Sequence, residues 1–179
     1  MDKDEQVRQI KKLLHRLDSG TNVDAGELFE NPTNTYVDPI LAEQEREVFF
    51  KRTPQLVGLS GDLPQRNSFI TLNDLGTPIL ATRDQDGTFR AFVNSCRHRG
   101  VIVEQRDRGE ARRFTCQFHR WTYDSEGTLV GLPKQEHFGE VDLNQLGLLE
   151  LPSLEIFGML WVHPDPTGVI NLKELLTEE

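Results

Sequence analysis

Cys96-Arg97-His98-Arg99-Gly100 and Cys116-Gln117-Phe118-His119-Arg120-Trp121-Thr122-Tyr123-Asp124 decide how this chain is read. They hold the only two cysteines among 179 residues, and each cysteine lies within three positions of a histidine. A thiolate and an imidazole on each of two short loops make a four-donor set for metal. Zinc fingers of the common kind pair Cys with Cys and His with His along the chain. Here the order is mixed, so each loop offers one donor of each kind and two apposed loops can close around a centre with two unlike metal ions. A single tetrahedral zinc and a pair of unrelated buried cysteines are the competing readings.

The two segments resemble the Rieske domain of ring-hydroxylating oxygenase alpha subunits, whose loops read Cys-x-His-Arg-Gly and Cys-Pro-Tyr-His-Gly-Trp-x-Tyr. The resemblance covers roughly residues 36 to 166. Gln117 stands where that pattern has proline and Arg120 where it has glycine. Neither departure removes a donor, but both bear on the rigidity of the second loop and the exposure of His119. The resemblance implies a 2Fe–2S cluster held by Cys96, His98, Cys116 and His119, with the thiolates on one iron and the imidazoles on the other. It also implies that Gly100 turns the first loop so that backbone N–H groups face the sulfides, and that Trp121 covers the cluster on the second side. Potentials of such centres run from roughly −150 to +300 mV, against about −400 mV for plant-type ferredoxins. Rieske proteins of respiratory cytochrome complexes carry a further cysteine pair. Both cysteines here are already assigned, so that branch is disfavoured.

Composition bounds the rest. A chain of this size with 36% hydrophobic residues buries one moderate core. No apolar run approaches the ~20 residues that span a bilayer. The charged segment Met1 to Arg16 lacks a signal-peptide core, so a reducing cytoplasm is expected. Net charge is −9, yet seven arginines (97, 99, 106, 108, 112, 113 and 120) stand against Glu104, Asp107 and Glu110 between the two cluster loops. That basic stretch either steers an acidic partner or pairs with local acids. Nucleic-acid binding is disfavoured by the overall acidity.

Along the chain, residues 4 to 17 read as an amphipathic helix with Val7, Ile10, Leu14 and Leu17 on one stripe and Gly20 as its stop. Thr21 to Thr35 reads as a loop. Asp38-Pro39 opens a second helix through about Lys51, with Ile40, Leu41, Val48, Phe49 and Phe50 anchoring it to the domain behind. Short strands follow at Leu56–Leu59, Ser68–Leu72, Ile79–Arg83, Thr88–Asn94, Arg112–Thr115, Leu148–Leu151 and Met159–His163. Asp86-Gly87 is a hairpin signal. The expected fold is mainly β, an antiparallel sandwich with a cluster-binding subdomain. The expected domains are a helical extension over 1–52, a Rieske domain over 53–166 and a tail over 167–179 leading toward a catalytic domain absent from this chain. His15, His137 and His163 read as solvated or structural. No pair among them has the spacing of a two-histidine, one-carboxylate iron site.

The expected function is electron transfer as the N-terminal part of an aromatic-ring-hydroxylating dioxygenase alpha subunit. The resemblance implies a ferredoxin or flavin reductase as donor, a trimer, and a mononuclear iron as acceptor in a C-terminal domain. A free-standing Rieske ferredoxin and a zinc-stapled interaction module are the alternatives. The long helical extension argues against the first of these.

Overall fold

The computed structural model describes residues 2–21, 26–74 and 76–172. It falls into two units, residues 1–38 and 39–179, each described by itself.

In the first unit helix α1 runs Lys3–Ser19. Asp2 starts it by accepting the Glu5 N–H at 2.8 Å, and Gly20 ends it in the left-handed region at φ 64°. The apolar stripe is present, but none of its residues is buried. A 3-10 turn at Thr33–Tyr36 occupies the end of the stretch expected to be loop.

The second unit opens with helix α2, Pro39–Glu45, which passes into a π-helical segment at Arg46–Lys51. The single helix expected through Lys51 is therefore corrected. So is its anchoring role: Ile40, Val48, Phe49 and Phe50 are all exposed, and only Leu41 is partly buried. The change to i→i+5 bonding after Glu45 breaks the 3.6-residue phase that would gather these side chains on one buried stripe.

Three antiparallel sheets follow. The first holds β1 (Gln55–Leu59), β11 (Met159–Val162) and β10 (Ser153–Ile156), in the order β1-β11-β10. The second is five-stranded, in the order β5-β2-β3-β4-β9. Its strands are β2 (Ser68–Leu72), β3 (Ile79–Arg83), β4 (Phe89–Val93), β5 (Arg108–Glu110) and β9 (Glu150–Leu151). The third holds β6 (Arg113–Thr115), β7 (Thr122–Asp124) and β8 (Leu129–Gly131). The strand expected over 148–151 is shorter, with Leu148 a buried loop residue.

The five-stranded sheet separates two cores, and the period-2 alternation of its strands explains how. Ile70, Ile79, Ala81 and Ala91 point one way, meeting Val57, Leu160 and Val162 of the first sheet. Phe69, Leu80 and Phe92 point the other way, toward Cys96, Val103, Phe114, Cys116, Trp121, Tyr123 and Leu129. A sheet buried on both faces reads as a near-continuous apolar run, which is why β2, β3 and β4 were conspicuous in the sequence. Arg83 on β3 forks onto Glu155 of β10, at 2.6 and 3.0 Å, and ties the first two sheets at their rim.

The hairpins β3–β4 and β7–β8 turn on the same device. Asp84 Oδ1 accepts the N–H groups of Asp86 and Thr88 at 2.9 and 2.8 Å. Asp124 Oδ1 accepts those of Glu126 and Thr128 at 3.0 and 2.9 Å. At Gly127 (φ 79°) an added Cβ would lie 2.4 Å from the Phe92 ring, so that turn packs directly on the sheet.

Candidate metal centre

Strand β4 delivers the first loop, and β6 and β7 frame the second. Asn94, fully buried between β4 and Cys96, sets the first loop's exit. Its Oδ1 accepts the N–H groups of Val103 and Glu104 at 3.2 and 3.0 Å, and its Nδ2 donates to the Glu104 carbonyl at 2.8 Å. Thr82 Oγ1 donates to the Ser125 carbonyl at 2.8 Å and fastens the turn beyond the second loop to the central sheet.

The two loops share one backbone pattern. The Cys96 N–H donates to the Val101 carbonyl and Gly100 N–H returns to the Cys96 carbonyl, both at 2.8 Å. In the second loop Cys116 N–H donates to the Trp121 carbonyl at 2.9 Å and Arg120 N–H to the Cys116 carbonyl at 3.0 Å. Gly100 and Arg120 are both left-handed, at φ 71° and 64°. The fold thus brings the four expected donors together as two like pairs. Cys96 and Cys116 are free thiols, 3% and 2% exposed. The His98 and His119 rings lie 4.6 Å apart between centroids.

Both imidazoles keep a buried Nδ1 with no hydrogen-bond partner. A buried polar atom left unpaired costs about 1–3 kcal/mol, and on two adjacent imidazoles such atoms are free to serve as metal donors. Two buried thiols and two adjacent imidazoles are the donor set that a Rieske 2Fe–2S cluster takes.

The surroundings suit such a centre. Burial pushes the Cys96 thiol above its ordinary value. The Tyr123 hydroxyl and the His98 backbone N–H pull the other way, and the Cys116 thiol adds to the rise. Tyr123 Oη lies 3.4 Å from Cys96 Sγ and accepts the Arg97 N–H at 3.0 Å. Burial, with its bonding to Cys96 next, holds the Tyr123 phenol far above its usual range. Burial lowers His98, helped by His119 and Arg99, and so favours the neutral imidazole that binds metal. Trp121 is buried and stacks on the His98 ring (centroids 5.0 Å, planes 7° apart). It thus covers the first loop's histidine. Phe138 meets both rings edge-on at 5.9 and 5.6 Å.

His15 and His137 are exposed, and His163 is buried against the Arg52 and Asp165 carbonyls, away from the loops. Two contributors, Asn94 and Phe138, lie outside the quoted motifs, and Tyr123 stands in the second motif with no role assigned to it. Tyr123 was detectable, since Thr122-Tyr123-Asp124 places one large side chain inward between two polar ones. Asn94 and Phe138 carried no local signal.

A family model described as the Rieske 2Fe-2S domain matches residues 53–154. The chain belongs to the Rieske family. Among its relatives is the alpha subunit of 2-aminobenzenesulfonate 2,3-dioxygenase from an Alcaligenes species. It is 35% identical over 144 residues, covering 79% of this chain and 36% of the relative. The alpha subunit of biphenyl 2,3-dioxygenase from Rhodococcus jostii is 37% identical over 130 residues, covering 69% of this chain and 28% of the relative. The structure of naphthalene 1,2-dioxygenase from a Rhodococcus species superposes with a TM-score of 0.73 at 26% identity, covering 96% of this chain and 38% of that one. An apo quaternary ammonium Rieske monooxygenase gives 0.73 at 27% identity, covering 83% of this chain and 43% of that one. This Rieske chain therefore spans about a third of the length of the curated relatives it matches. No helix among the described residues is long and apolar enough to cross a membrane.

Proposed function

We propose that this chain relays single electrons through a Rieske 2Fe–2S cluster, as the N-terminal electron-transfer domain of an aromatic-ring-hydroxylating oxygenase alpha subunit. The observation that carries the reading is the pairing of two buried thiols with two imidazoles whose inward Nδ1 atoms have no partner. In this reading the thiolates of Cys96 and Cys116 would hold one iron, and His98 and His119 would hold the other through Nδ1. When bound, such a cluster supplies reversible one-electron chemistry at a potential raised by replacing two anionic thiolates with neutral imidazoles.

The remaining assignments concern this chain's own residues and its partners. Gly100 provides the left-handed turn of the first loop, and Trp121 fixes the His98 ring plane and keeps water from it. Residues 53–166 form the Rieske domain, 1–52 an extension, and 167–179 a connection toward a catalytic part bearing a mononuclear iron. The donor is a ferredoxin or flavin reductase, the assembly a trimer and the compartment the cytoplasm. The alpha-subunit relatives support this reading over a free-standing carrier.

The test is a redox titration of anaerobically purified protein, followed by its visible spectrum and by EPR on reduction. A rhombic signal with a midpoint in the Rieske range supports the proposal. A colourless, EPR-silent protein that binds zinc stoichiometrically refutes it.

A further inference from the structure

His163 follows strand β11 and is buried, at 5% exposure, yet it takes no part in the candidate metal centre. Both of its ring nitrogens have backbone partners. On one side Nδ1 accepts the Asp165 N–H at 3.1 Å. A backbone amide can only donate, so Nδ1 carries no proton and the neutral ring holds its proton on Nε2. Nε2 lies 3.3 Å from the Arg52 carbonyl, which can only accept and stands 111 residues earlier in the chain.

Each partner marks a boundary. Arg52 closes the π-helical segment Arg46–Lys51, and the last carbonyls of a helix lack partners within it. The Phe49 carbonyl is served locally by Thr53 Oγ1 and Gln55 Nε2, whereas that of Arg52 is served by the distant imidazole. Beyond His163, Pro164 and Pro166 have no N–H, which leaves Asp165 as the only amide donor before Thr167. Asp165 then builds a turn. Its Oδ1 accepts the Thr167 N–H at 2.8 Å, and its carbonyl accepts the Gly168 N–H at 2.9 Å. The turn closes against the ring, because a Cβ at Gly168 would lie 2.0 Å from His163 Nδ1. The imidazole therefore demands glycine at that position.

We infer that His163 is a clasp joining the chain's entry into the three-sheet unit, at Arg52, to its exit, at Asp165–Gly168. One ring thus caps the helical segment before the first strand and seats the turn after the last, so a single side chain governs the order of both connections. The inference goes beyond the electron-relay reading and uses no group of the metal centre, so either can fail without the other.

The experiment is amide hydrogen exchange on the full chain, with NMR of the histidine ring nitrogens. His163 should show the Nε2–H tautomer at neutral pH, and an Nδ1–H tautomer would overturn the assignment. His163→Ala should speed exchange about tenfold or more at Asp165 and Gly168 and also over residues 49 to 53. Two conservative variants separate the arms. An asparagine oxygen takes the place of Nδ1, so His163→Asn should keep the exit protected and loosen the entry. A glutamine amide nitrogen takes the place of Nε2, so His163→Gln should do the reverse. Gly168→Ala lies at the exit but drives a methyl group into the ring, so it should loosen the entry as well. The double variant His163→Ala/Gly168→Ala should be no looser at the entry than His163→Ala alone. Leu80 and Phe92 in the central sheet should keep parent rates throughout. An entry that stays protected in His163→Ala or Gly168→Ala overturns the clasp. So does identical behaviour of the Asn and Gln variants, including a general loss of protection in both, which would make His163 a packing residue of the whole unit.

Discussion

Gly100 and Arg120 stand in the same turn of two loops that share one backbone design. Each donates its N–H to the carbonyl of the cysteine four residues earlier, at 2.8 and 3.0 Å, and each is left-handed at φ 71° and 64°. A Cβ at Gly100 would meet nothing closer than Ser95 Oγ at 3.7 Å, so the two sites differ in backbone preference rather than in room. The left-handed conformation costs an L-residue roughly 1–2 kcal/mol, offset in part by the greater unfolded freedom of glycine. Arg120→Gly should therefore raise unfolding stability by up to about 1 kcal/mol, and Gly100→Ala should lower it by about 1 kcal/mol. Urea titrations of both variants check the pair, and a destabilised Arg120→Gly would contradict it.

Tyr123 offers a second test. Its hydroxyl accepts the Arg97 N–H and lies 3.4 Å from Cys96 Sγ, to which it would donate once that sulfur is a thiolate, so Tyr123→Phe would strip one donor from the sulfur. One hydrogen bond of about 1 kcal/mol corresponds to roughly 40 mV for a one-electron couple. The midpoint potential of the variant should fall by that order, with the four donors retained. A potential that rises or stays constant in a spectroelectrochemical titration would remove Tyr123 from the tuning of the site.

Gly127 carries the turn that seats the second hairpin on Phe92. Gly127→Ala both places a Cβ 2.4 Å from that ring and forces alanine to φ 79°. Overpacking and backbone strain together should cost about 2–4 kcal/mol. A loss below about 0.5 kcal/mol by chemical denaturation would show that the turn yields easily.

Acid stability should report Asp84. Burial alone would raise this carboxyl, but the hydrogen bonds from Arg90 and from the N–H groups of Thr88 and Asp86 outweigh it and hold the group below its ordinary value. A depressed folded value means that the unfolded chain binds the proton more readily. The stabilisation is therefore complete above the unfolded carboxylate value of about 3.9 and fades as pH falls through the folded one. Asp84→Asn should lose roughly 1–3 kcal/mol at neutral pH and show a shallower decline of stability below about pH 4. Parallel acid-dependent slopes for parent and variant would exclude this ion pair as their source.

The elements legible in the sequence were those with strong side-chain periodicity. Strands β2 and β3 coincide with their expected spans because both faces of the central sheet demand apolar residues. The four proposed donors stand out in the sequence because rare residue types recur at short spacing. Strands β5, β7, β8 and β10 were missed, each only three or four residues long. Arg108–Glu110 is an edge strand with almost nothing apolar, so tertiary pairing with β2 rather than propensity makes it a strand. The recurrence of Asp-x-Asp/Glu-Gly-Thr at 84–88 and 124–128 went unread, although its aspartates build both hairpin turns. The helix over 39–51 failed at Glu45 because a π turn leaves no pattern distinct from α in so short a segment. Trp121 was legible as a neighbour of the site but not as a cover for His98, since only the fold brings one loop's tryptophan onto the other loop's histidine.

Pulsed EPR of the reduced protein, with histidine nitrogens isotopically labelled, addresses the central claim most directly. Two histidine nitrogens should couple to the unpaired spin, and His98→Cys should remove one of them while lowering the potential or abolishing the cluster. A signal without histidine nitrogen coupling, or iron-free folded protein, would contradict the account.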